Sequence, residues 1–294
     1  MTENENDSGS PADIKIKNVA VVGCGQIGVG IGLSCALHRV PVALMGREKD
    51  ELLTSRKWVT EFLDTAAEKG TIKRSEVYEI AGNFAFVVGI EHLKRADLVI
   101  ECVNEDLETK KKLFTEIKGE VKPTAVVSTN TSVFSIRELA ECFGSPDRFL
   151  GTHFFTPVPV MKLVEVVATP DTSRETIDNV MDFCMRIGKQ PVLVKDSPGF
   201  IVNKLLTVFL LSAMKLYQEG NAPEDIDTAI ELALGHKAGP LKLADSIGLD
   251  VIARMAEQLH AYHGDECYSV PDVLKQHIER GRLGRKTNVG FYRY

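Results

Sequence analysis

The run NVAVVGCGQIG, residues 18–28, constrains the fold more than any other stretch of this 294-residue chain. Its first half is short, apolar and β-branched and ends at Gly23, which predicts a buried strand. A helical pattern follows to about residue 38. Gly23, Gly25 and Gly28 therefore lie in a GxGxxG spacing between a strand and a helix, as at the start of an α/β domain.

This glycine loop predicts a dinucleotide site. Glycines at these positions permit a tight turn, close approach of the backbone to a pyrophosphate, and close packing of the helix on the strand. The first helical residues, Gln26 and Ile27, would offer free N–H groups at the positive end of the helix dipole. A GxGxxG alone is weak, and the alternative is a tight turn that binds nothing. The strand–turn–helix context favours the dinucleotide.

Apolar runs and helical patterns alternate along the first 197 residues. Strands are predicted at 18–23, 40–46, 97–103, 125–130, 149–155, 162–168 and 190–196. After the first helix, further helices are predicted at 48–69, 106–119, 135–143 and 173–188. Alternation of this kind is typical of a mostly parallel sheet covered by helices on both faces.

Beyond Pro198 only helical periodicity is found, which predicts a second domain of a different class. These helices are expected at 200–218, 223–234, 240–261 and 271–280. The Ser-Pro-Gly run at 197–199 is interpreted as the junction. We therefore predict a disordered tail over 1–16, a doubly wound, Rossmann-type α/β domain over 17–197, and an all-helical domain over 198–294.

Composition and charge exclude several classes of protein. A net charge of −6 and a pI near 5.7 argue against a broad nucleic-acid face, which needs an excess of Lys and Arg. The six cysteines are scattered without CxxC pairs or Cys/His clusters, so we expect reduced thiols in a cytoplasmic compartment and no metal site. The acidic first residues lack the features of a targeting peptide, and no apolar run reaches a membrane-spanning length.

The segment THFFTPVPVMKLVEV, residues 152–166, places two ionisable residues inside stretches that otherwise look like buried strand. His153 precedes an aromatic pair, and Glu165 stands alone among aliphatic residues. Taken alone, such residues are more often a satisfied core histidine and a strand-edge carboxylate, because buried polar groups usually find local partners. The prolines between them would stiffen a connection that lets the two residues converge.

Three stretches read together, GTHFFTPVPVMKLVEV, DSPGFIVNKLL and GRLGRKTNVGFYRY, resemble the short-chain L-3-hydroxyacyl-CoA dehydrogenases, and most of all their 3-hydroxybutyryl-CoA dehydrogenase branch. The likeness runs from about residue 17 to the C-terminus. It implies the two-domain architecture predicted above and a homodimer formed largely by the helical domain. It also implies interconversion of (S)-3-hydroxyacyl-CoA and 3-ketoacyl-CoA by hydride transfer with a nicotinamide cofactor, NAD(P).

The resemblance assigns roles to the residues singled out above. The family residue that matches His153 is the catalytic base, and the one that matches Glu165 orients and polarises it. Oxidation of a secondary alcohol needs such a base, because the hydroxyl proton must leave as the hydride is transferred. Asn203 in GFIVNKLL matches an asparagine that contacts the substrate near the reacting oxygen. Its alternative role is a helix cap or a hydrogen bond between domains.

Four charged residues match family positions that contact the cofactor or coenzyme A. Glu105, Lys110 and Lys286 match contacts to the cofactor. Lys69 matches a contact to the nucleotide part of coenzyme A, and further basic residues near it in the sequence would add positive field for a polyanionic ligand. Each of these residues is equally consistent with a solvated surface charge.

Two threonines depart from the family pattern close to the expected substrate. TNTS replaces SNTS, so Thr129 stands where the family has a serine that contacts substrate and cofactor. Its hydroxyl is kept while a methyl is added. HFFTP replaces HFFNP, so Thr156 lacks the donor and acceptor pair of an amide. These changes leave the reaction type intact and make the preferred substrate uncertain.

The third departure concerns the cofactor. At the end of the second predicted strand Gly46 stands where the family has an aspartate, and Arg47 follows it. An acidic residue there accepts hydrogen bonds from the adenosine ribose of NAD and repels the 2′-phosphate of NADP. Glycine removes that charge, and arginine adds a donor suited to phosphate. We therefore expect NADP(H) to be favoured over NAD(H), unless Arg47 stacks on adenine or Glu48 serves the ribose.

Two rival functions fit parts of the sequence. ECVNEDLETKKKLF also resembles the L-gulonate dehydrogenase and λ-crystallin branch, whose substrate is a free sugar acid. A non-catalytic dinucleotide-binding protein would keep the glycine loop for structural or regulatory use. The histidine, glutamate and asparagine assigned above argue against the second rival, and the C-terminal stretch argues against the first.

Overall fold

An eight-stranded sheet organises the described part of the first unit of the chain. The computed structural model describes residues 16–294, and the chain divides into two units, one ending at Asp196 and the other spanning Ser197–Tyr294. The strands in chain order are β1 (Val19–Val22), β2 (Val42–Gly46), β3 (Phe84–Val88), β4 (Leu98–Glu101), β5 (Val126–Thr129), β6 (Phe149–Phe154), β7 (Leu163–Ala168) and β8 (Gln190–Lys195). They lie in the order β3-β2-β1-β4-β5-β6-β7-β8.

Neighbouring strands pair in parallel, except that β6 and β7 pair antiparallel. The accompanying helices are α1 (Gln26–Leu37), α2 (Lys49–Glu68), α3 (Val77–Gly82), α4 (Leu107–Ile117), α5 (Ile136–Phe143) and α6 (Arg174–Arg186). Strands β1, β4, β5 and β6 are buried along their whole length, which explains why they read as continuous apolar runs. The predicted doubly wound, mostly parallel α/β domain is confirmed.

Strand β3 and helix α3 have no counterpart among the predicted elements. β3 lies at the edge of the sheet, and none of its residues is fully buried. Phe84 and Phe86 stack on each other with ring centroids 5.5 Å apart and pack, partly buried, against the core of the unit. The run FAFVV is aromatic and β-branched, so it carries a strand signal that the sequence analysis missed, and β3 pairs in parallel with β2.

The second unit contains only helices among its longer elements, which confirms the predicted helical domain. They are α7 (Val202–Gln218), α8 (Pro223–Leu234), α9 (Pro240–Ile247), α10 (Leu249–His263) and α11 (Asp272–Glu279). The single helix predicted over 240–261 is wrong. Gly248 interrupts it with φ +108°, a conformation that residues with a Cβ rarely adopt, and separates α9 from α10.

The predicted tail over 1–16 lies outside the described residues, except for its last residue. Ile16, which the sequence assigns to the tail, is buried in the core of the first unit. All six cysteines are free thiols. Within residues 16–294, no helix is both long enough and apolar enough to cross a bilayer.

The C-terminal segment of the second unit is held by a buried carboxylate. Asp245 of α9, which is 1% exposed, accepts hydrogen bonds from the backbone N–H of Phe291 at 3.0 Å and of Tyr292 at 2.9 Å. The hydroxyl of Tyr294 donates to the same carboxylate at 3.1 Å. A Cβ at Gly290 would lie 1.9 Å from one of its oxygens, so only glycine fits there. The segment that ends the chain thus wraps over α9 through charge-assisted hydrogen bonds.

Replacing Asp245 with Asn should destabilise the second unit. The amide offers one acceptor where the carboxylate offers two, and hydrogen bonds to a charged group contribute about 1.5–3 kcal/mol each. We expect the melting temperature of the helical unit to fall by roughly 5–10 °C in differential scanning calorimetry. Asp272→Asn is the matched control, because Asp272 is exposed and pairs with the neighbouring Lys275 at 3.2 Å. Equal melting temperatures for the two variants would contradict the expected role of Asp245.

Candidate active site

His153 and Glu165 face each other across the antiparallel pair of β6 and β7. The register places the two residues directly opposite, so their side chains leave the same face of the sheet. Nδ1 of His153 lies 2.8 Å from Oε2 of Glu165, and the side chains are 6% and 1% exposed. A carboxylate at Nδ1 favours the tautomer in which Nδ1 carries the proton, which leaves the lone pair of a neutral ring on Nε2.

The loop between β6 and β7 is fixed from two sides. Lys189, which is 6% exposed, donates from Nζ to the backbone carbonyl of Met161 at 3.0 Å and to that of Val158. The side chain of Val158 packs against α1 at Gly30, where an added Cβ would lie 2.7 Å from it. Burial lowers the pKa of Lys189. Because the loop joins both strand ends, these contacts hold the histidine–glutamate pair in register.

A serine that the sequence analysis missed contacts the histidine. The hydroxyl of Ser132, in the turn after β5, lies 2.9 Å from Nε2 of His153. The side-chain oxygen of Asn130 accepts a hydrogen bond from the N–H of Phe154 at 2.8 Å, which ties this turn to β6. Ser132 closes the TNTS run in which only the first threonine was singled out. The contact arises because β5 and β6 are neighbours in the sheet.

A buried ion pair lies beneath this turn. Glu101, at the end of β4, accepts hydrogen bonds from Nζ of Lys110 and from the hydroxyl of Thr129, both at 2.6 Å. All three side chains are buried. Nζ of Lys110 also lies 3.1 Å from Glu105. Burial opposes the charged form of Lys110, but the two carboxylates outweigh it and raise its pKa. The sequence analysis missed Glu101, although an acidic residue in an apolar strand is the signal that identified Glu165.

Glu105 connects this ion pair to the histidine. Its carboxylate accepts hydrogen bonds from the backbone N–H of Ser132 at 2.9 Å and from the hydroxyl of Thr131. A continuous chain of polar contacts therefore runs from Lys110 through Glu105 and Ser132 to His153. Lys110 and Glu105, predicted to contact the cofactor, act here on the position of the turn that contacts the histidine.

A cavity of about 850 Å³ opens beside the glycine-rich loop. Gly23 adopts φ +112°, and a Cβ there would lie 2.5 Å from the carbonyl oxygen of Cys102. A Cβ at Gly28 would lie 1.9 Å from the carbonyl oxygen of Gly23, so α1 packs closely on the loop. Gly25 lines the cavity, and a Cβ on it would meet no neighbouring atom within 4 Å. Because α1 begins at Gln26, the loop and the free N–H groups of the helix start fit a pyrophosphate.

The same cavity extends to the end of β2 and the start of α2, where Gly46, Arg47 and Glu51 line it. A Cβ on Gly46 would lie 3.0 Å from Sγ of Cys24 and from the side chain of Leu52, which is tight contact. The guanidinium of Arg47 lies 2.7 Å from Glu51, and its side chain is 82% exposed. This corner therefore contains Arg47 and Glu51, whereas the sequence analysis considered Arg47 and Glu48.

Two further predicted site residues of the first unit, Lys69 and Thr156, are also exposed. Lys69 follows the last residue of α2 and its backbone N–H bonds to Thr65. Thr156 follows β6 and precedes Pro157 through a cis peptide bond. The contact of Lys69 with coenzyme A and the contact of Thr156 with the cofactor stay predictions.

Two others lie in the second unit. Asn203 is in the first turn of α7, and the residue that caps this helix is Ile201, so the capping alternative for Asn203 is wrong. Lys286 forms an ion pair with Asp250 at the start of α10. The contact of Asn203 with the substrate and that of Lys286 with the cofactor stay predictions.

The chain is similar over nearly its whole length to known dehydrogenases. Residues 18–197 match the family model described as 3-hydroxyacyl-CoA dehydrogenase, NAD binding domain, and residues 199–294 match 3-hydroxyacyl-CoA dehydrogenase, C-terminal domain. The chain is 36% identical to the human protein named hydroxyacyl-coenzyme A dehydrogenase, mitochondrial, with 100% of this chain and 96% of the human protein covered. It is 37% identical to the 3-hydroxybutyryl-CoA dehydrogenase of Clostridioides difficile, with 94% and 99% covered.

Solved structures give the same result. The crystal structure of an (S)-3-hydroxybutyryl-CoA dehydrogenase from Ralstonia eutropha superposes with a TM-score of 0.92 at 35% identity, covering 95% of this chain and 99% of the other. The two family models together span the α/β unit and the helical unit. The chain therefore belongs to the 3-hydroxyacyl-CoA dehydrogenase family.

Proposed function

We propose that the chain is an NAD(P)-dependent enzyme that interconverts (S)-3-hydroxyacyl-CoA and 3-ketoacyl-CoA, with short acyl chains such as 3-hydroxybutyryl as its substrates. The observation that carries the proposal is the buried contact of 2.8 Å between His153 and Glu165, in a chain with a glycine-loop cavity for a dinucleotide. Two bacterial relatives are named 3-hydroxybutyryl-CoA dehydrogenase and probable 3-hydroxybutyryl-CoA dehydrogenase, and these names support the short acyl chain.

His153 acts as the general base in the direction of alcohol oxidation. A nicotinamide cofactor supplies the acceptor for the hydride that leaves C3 of the substrate. The hydroxyl proton moves to Nε2 of His153, because Nδ1 already carries a proton and uses it to donate a hydrogen bond to Glu165. The carboxylate of Glu165 stabilises the imidazolium that forms and keeps the ring in orientation. In ketone reduction His153 returns the proton to the new hydroxyl.

Ser132 lies beside the position where the substrate oxygen must bind. Its hydroxyl is 2.9 Å from Nε2 of His153, which is the atom that exchanges the proton. Glu105 accepts a hydrogen bond from the backbone N–H of Ser132 and so holds that hydroxyl in place. The ion pairs of Lys110 with Glu101 and Glu105 then position the turn, in addition to any contact of Lys110 with the cofactor.

The remaining assignments are part of the proposal. Asn203 binds the substrate near the reacting oxygen, and Lys69, exposed at the end of α2, contacts the nucleotide part of coenzyme A. Thr129, Thr156 and Lys286 are proposed cofactor contacts, with Thr129 also contacting the substrate. The hydroxyl of Thr129 donates to the carboxylate of Glu101, and both side chains are buried.

A homodimer and a cytoplasmic location complete the proposal. Exposed apolar side chains on α7, among them Leu205 at 67% exposure, support an interface on the helical unit. The unpaired state of all six cysteines supports a reducing compartment.

Acetoacetyl-CoA should be reduced, whereas L-gulonate should not be oxidised. The coenzyme A handle supplies remote binding energy that a free sugar acid lacks, and the active site uses such energy for alignment. The measurement is the absorbance change at the nicotinamide wavelength, with NADH and NADPH tested separately and with 3-ketoacyl-CoA esters of increasing length. Turnover of gulonate without turnover of any 3-ketoacyl-CoA would contradict the proposed substrate.

His153→Gln should lower kcat by about 10²–10⁴-fold, because the base is removed from the proton that it transfers. Glu165→Gln should lower kcat by a smaller factor, and the double variant should lose little more than His153→Gln alone, because the pair acts as a unit. The dissociation constant of the cofactor should stay unchanged in all three. His92→Gln is the control, since His92 is exposed and 3.8 Å from Glu91. Wild-type turnover in His153→Gln would contradict the mechanism.

We further propose that NADP(H) is favoured over NAD(H). Gly46 carries no acidic group at the strand end, and Arg47 offers an exposed guanidinium on the lining of the cavity. A permanently charged, planar donor suits a 2′-phosphate. The carboxylate that pairs with Arg47 is that of Glu51 rather than that of Glu48.

The ratio of kcat/KM for NADPH over NADH should exceed one in the wild type. Gly46→Asp should lower this ratio by at least about tenfold, because the aspartate repels the 2′-phosphate and accepts from the ribose hydroxyls. An added Cβ also lies only 3.0 Å from Leu52 and Cys24, so Gly46→Ala is needed as the steric control. A wild-type preference for NADH, or equal ratios in Gly46→Asp and Gly46→Ala, would contradict this part of the proposal.

A further inference from the structure

Glu51 brings a carboxylate into the corner from which the strand-end aspartate is missing. It lies in the first turn of α2, and its side chain turns back towards the end of β2. Oε1 accepts a hydrogen bond from the guanidinium of Arg47 at 2.7 Å, and Oε2 accepts one from the backbone N–H of Arg47 at 3.1 Å. Oε2 also lies 3.7 Å from Sγ of Cys24 in the glycine-rich loop. One carboxylate thus touches two of the segments that line the cavity.

The charge state of this pair is clear from its contacts. The hydrogen bonds from Arg47 lower the pKa of Glu51, so the carboxylate is ionised at neutral pH. Arg47 is a permanent cation. The corner therefore carries no net charge from these two side chains, and about a third of Glu51 remains exposed on the cavity lining.

The two nicotinamide cofactors differ at the atom that would meet this pair. NADH has a ribose 2′-hydroxyl, which can donate a hydrogen bond to an ionised carboxylate. NADPH has a 2′-phosphate, which a carboxylate repels and a guanidinium binds. The guanidinium of Arg47 donates to Glu51 through Nη2, so a phosphate that binds this edge of Arg47 must displace the carboxylate, and a phosphate that binds another edge lies beside it. Glu51 therefore favours NADH through one effect and opposes NADPH through two.

We propose that Glu51 is a specificity-determining residue that limits NADPH binding by competing with the 2′-phosphate for Arg47 while accepting from the ribose hydroxyl of NADH. The inference rests on the proposed binding of the adenosine ribose in this cavity, but not on which cofactor the wild type prefers. Removing the charge of Glu51 moves the preference towards NADPH from any starting ratio.

Glu51→Gln tests the inference, because the amide keeps the shape of the side chain and removes its charge. The NADPH/NADH ratio of kcat/KM should rise by about tenfold relative to the wild type, which corresponds to the loss of one charge-assisted interaction. Glu61→Gln is the matched control: it removes the same charge from the same helix, and Glu61 pairs with Lys57 at 3.7 Å outside the cavity lining. Its ratio should match the wild type within about twofold.

Binding of the adenosine half alone provides a measurement that does not depend on turnover. The affinity of 2′,5′-ADP should rise by about tenfold in Glu51→Gln in isothermal titration calorimetry, while that of 5′-AMP should stay equal or fall. An unchanged affinity for 2′,5′-ADP, or an equal rise in Glu61→Gln, would overturn the inference. A wild-type preference for NADH would instead contradict only the NADP(H) proposal, and inactivity towards acyl-CoA would contradict only the proposed substrate, since neither changes these titrations.

Discussion

The antiparallel pairing of β7 with β6 is the constraint on which the active site depends. Because β7 runs back along β6, Glu165 comes to lie directly opposite His153 on one face of the sheet. A slip of one residue would turn the carboxylate to the other face, since side chains alternate along a strand. The loop between the strands is anchored by Lys189 and by close packing on α1, and those contacts resist such a slip. The chemistry of the pair is therefore a consequence of sheet topology.

The buried ion pair between Glu101 of β4 and Lys110 likewise positions residues at the wall of the cavity beside the glycine-rich loop. Removing one partner of a buried pair leaves an unpaired charge, which typically destabilises a protein by about 3–5 kcal/mol. Glu101 accepts a hydrogen bond from Lys110 at 2.6 Å. It accepts another, at 2.7 Å, from the backbone N–H of Val103, which lines the cavity. Lys110 in turn reaches Glu105, which holds the turn beside the histidine. The cavity wall and the turn that contains Ser132 thus share one polar network, so the two are positioned together.

The parts of this protein that the sequence predicted are those with local signals. Buried parallel strands read as apolar runs, and a histidine or glutamate inside such a run is visible as an exception. Ser132 carries no such mark, because its contact with His153 exists only through the adjacency of β5 and β6. The break at Gly248 was missed since apolar periodicity continues on both sides of it. Glu51 was missed because its position depends on how α2 leaves the sheet.

The contact of Arg47 with Glu51 shows how a residue outside a sequence motif changes what the motif predicts. A strand-end aspartate would contribute one negative charge from the rigid sheet, whereas Gly46 contributes none. Arg47 and Glu51 together contribute no net charge, and both side chains belong to a partly exposed pair that rearranges at small energetic expense. Since an exposed ion pair is worth little, Arg47 can leave Glu51 at small cost, and the carboxylate that remains then repels a 2′-phosphate. The proposed discrimination between NADH and NADPH therefore depends on Arg47 and Glu51, while Gly46 at the end of β2 contributes no charge to it.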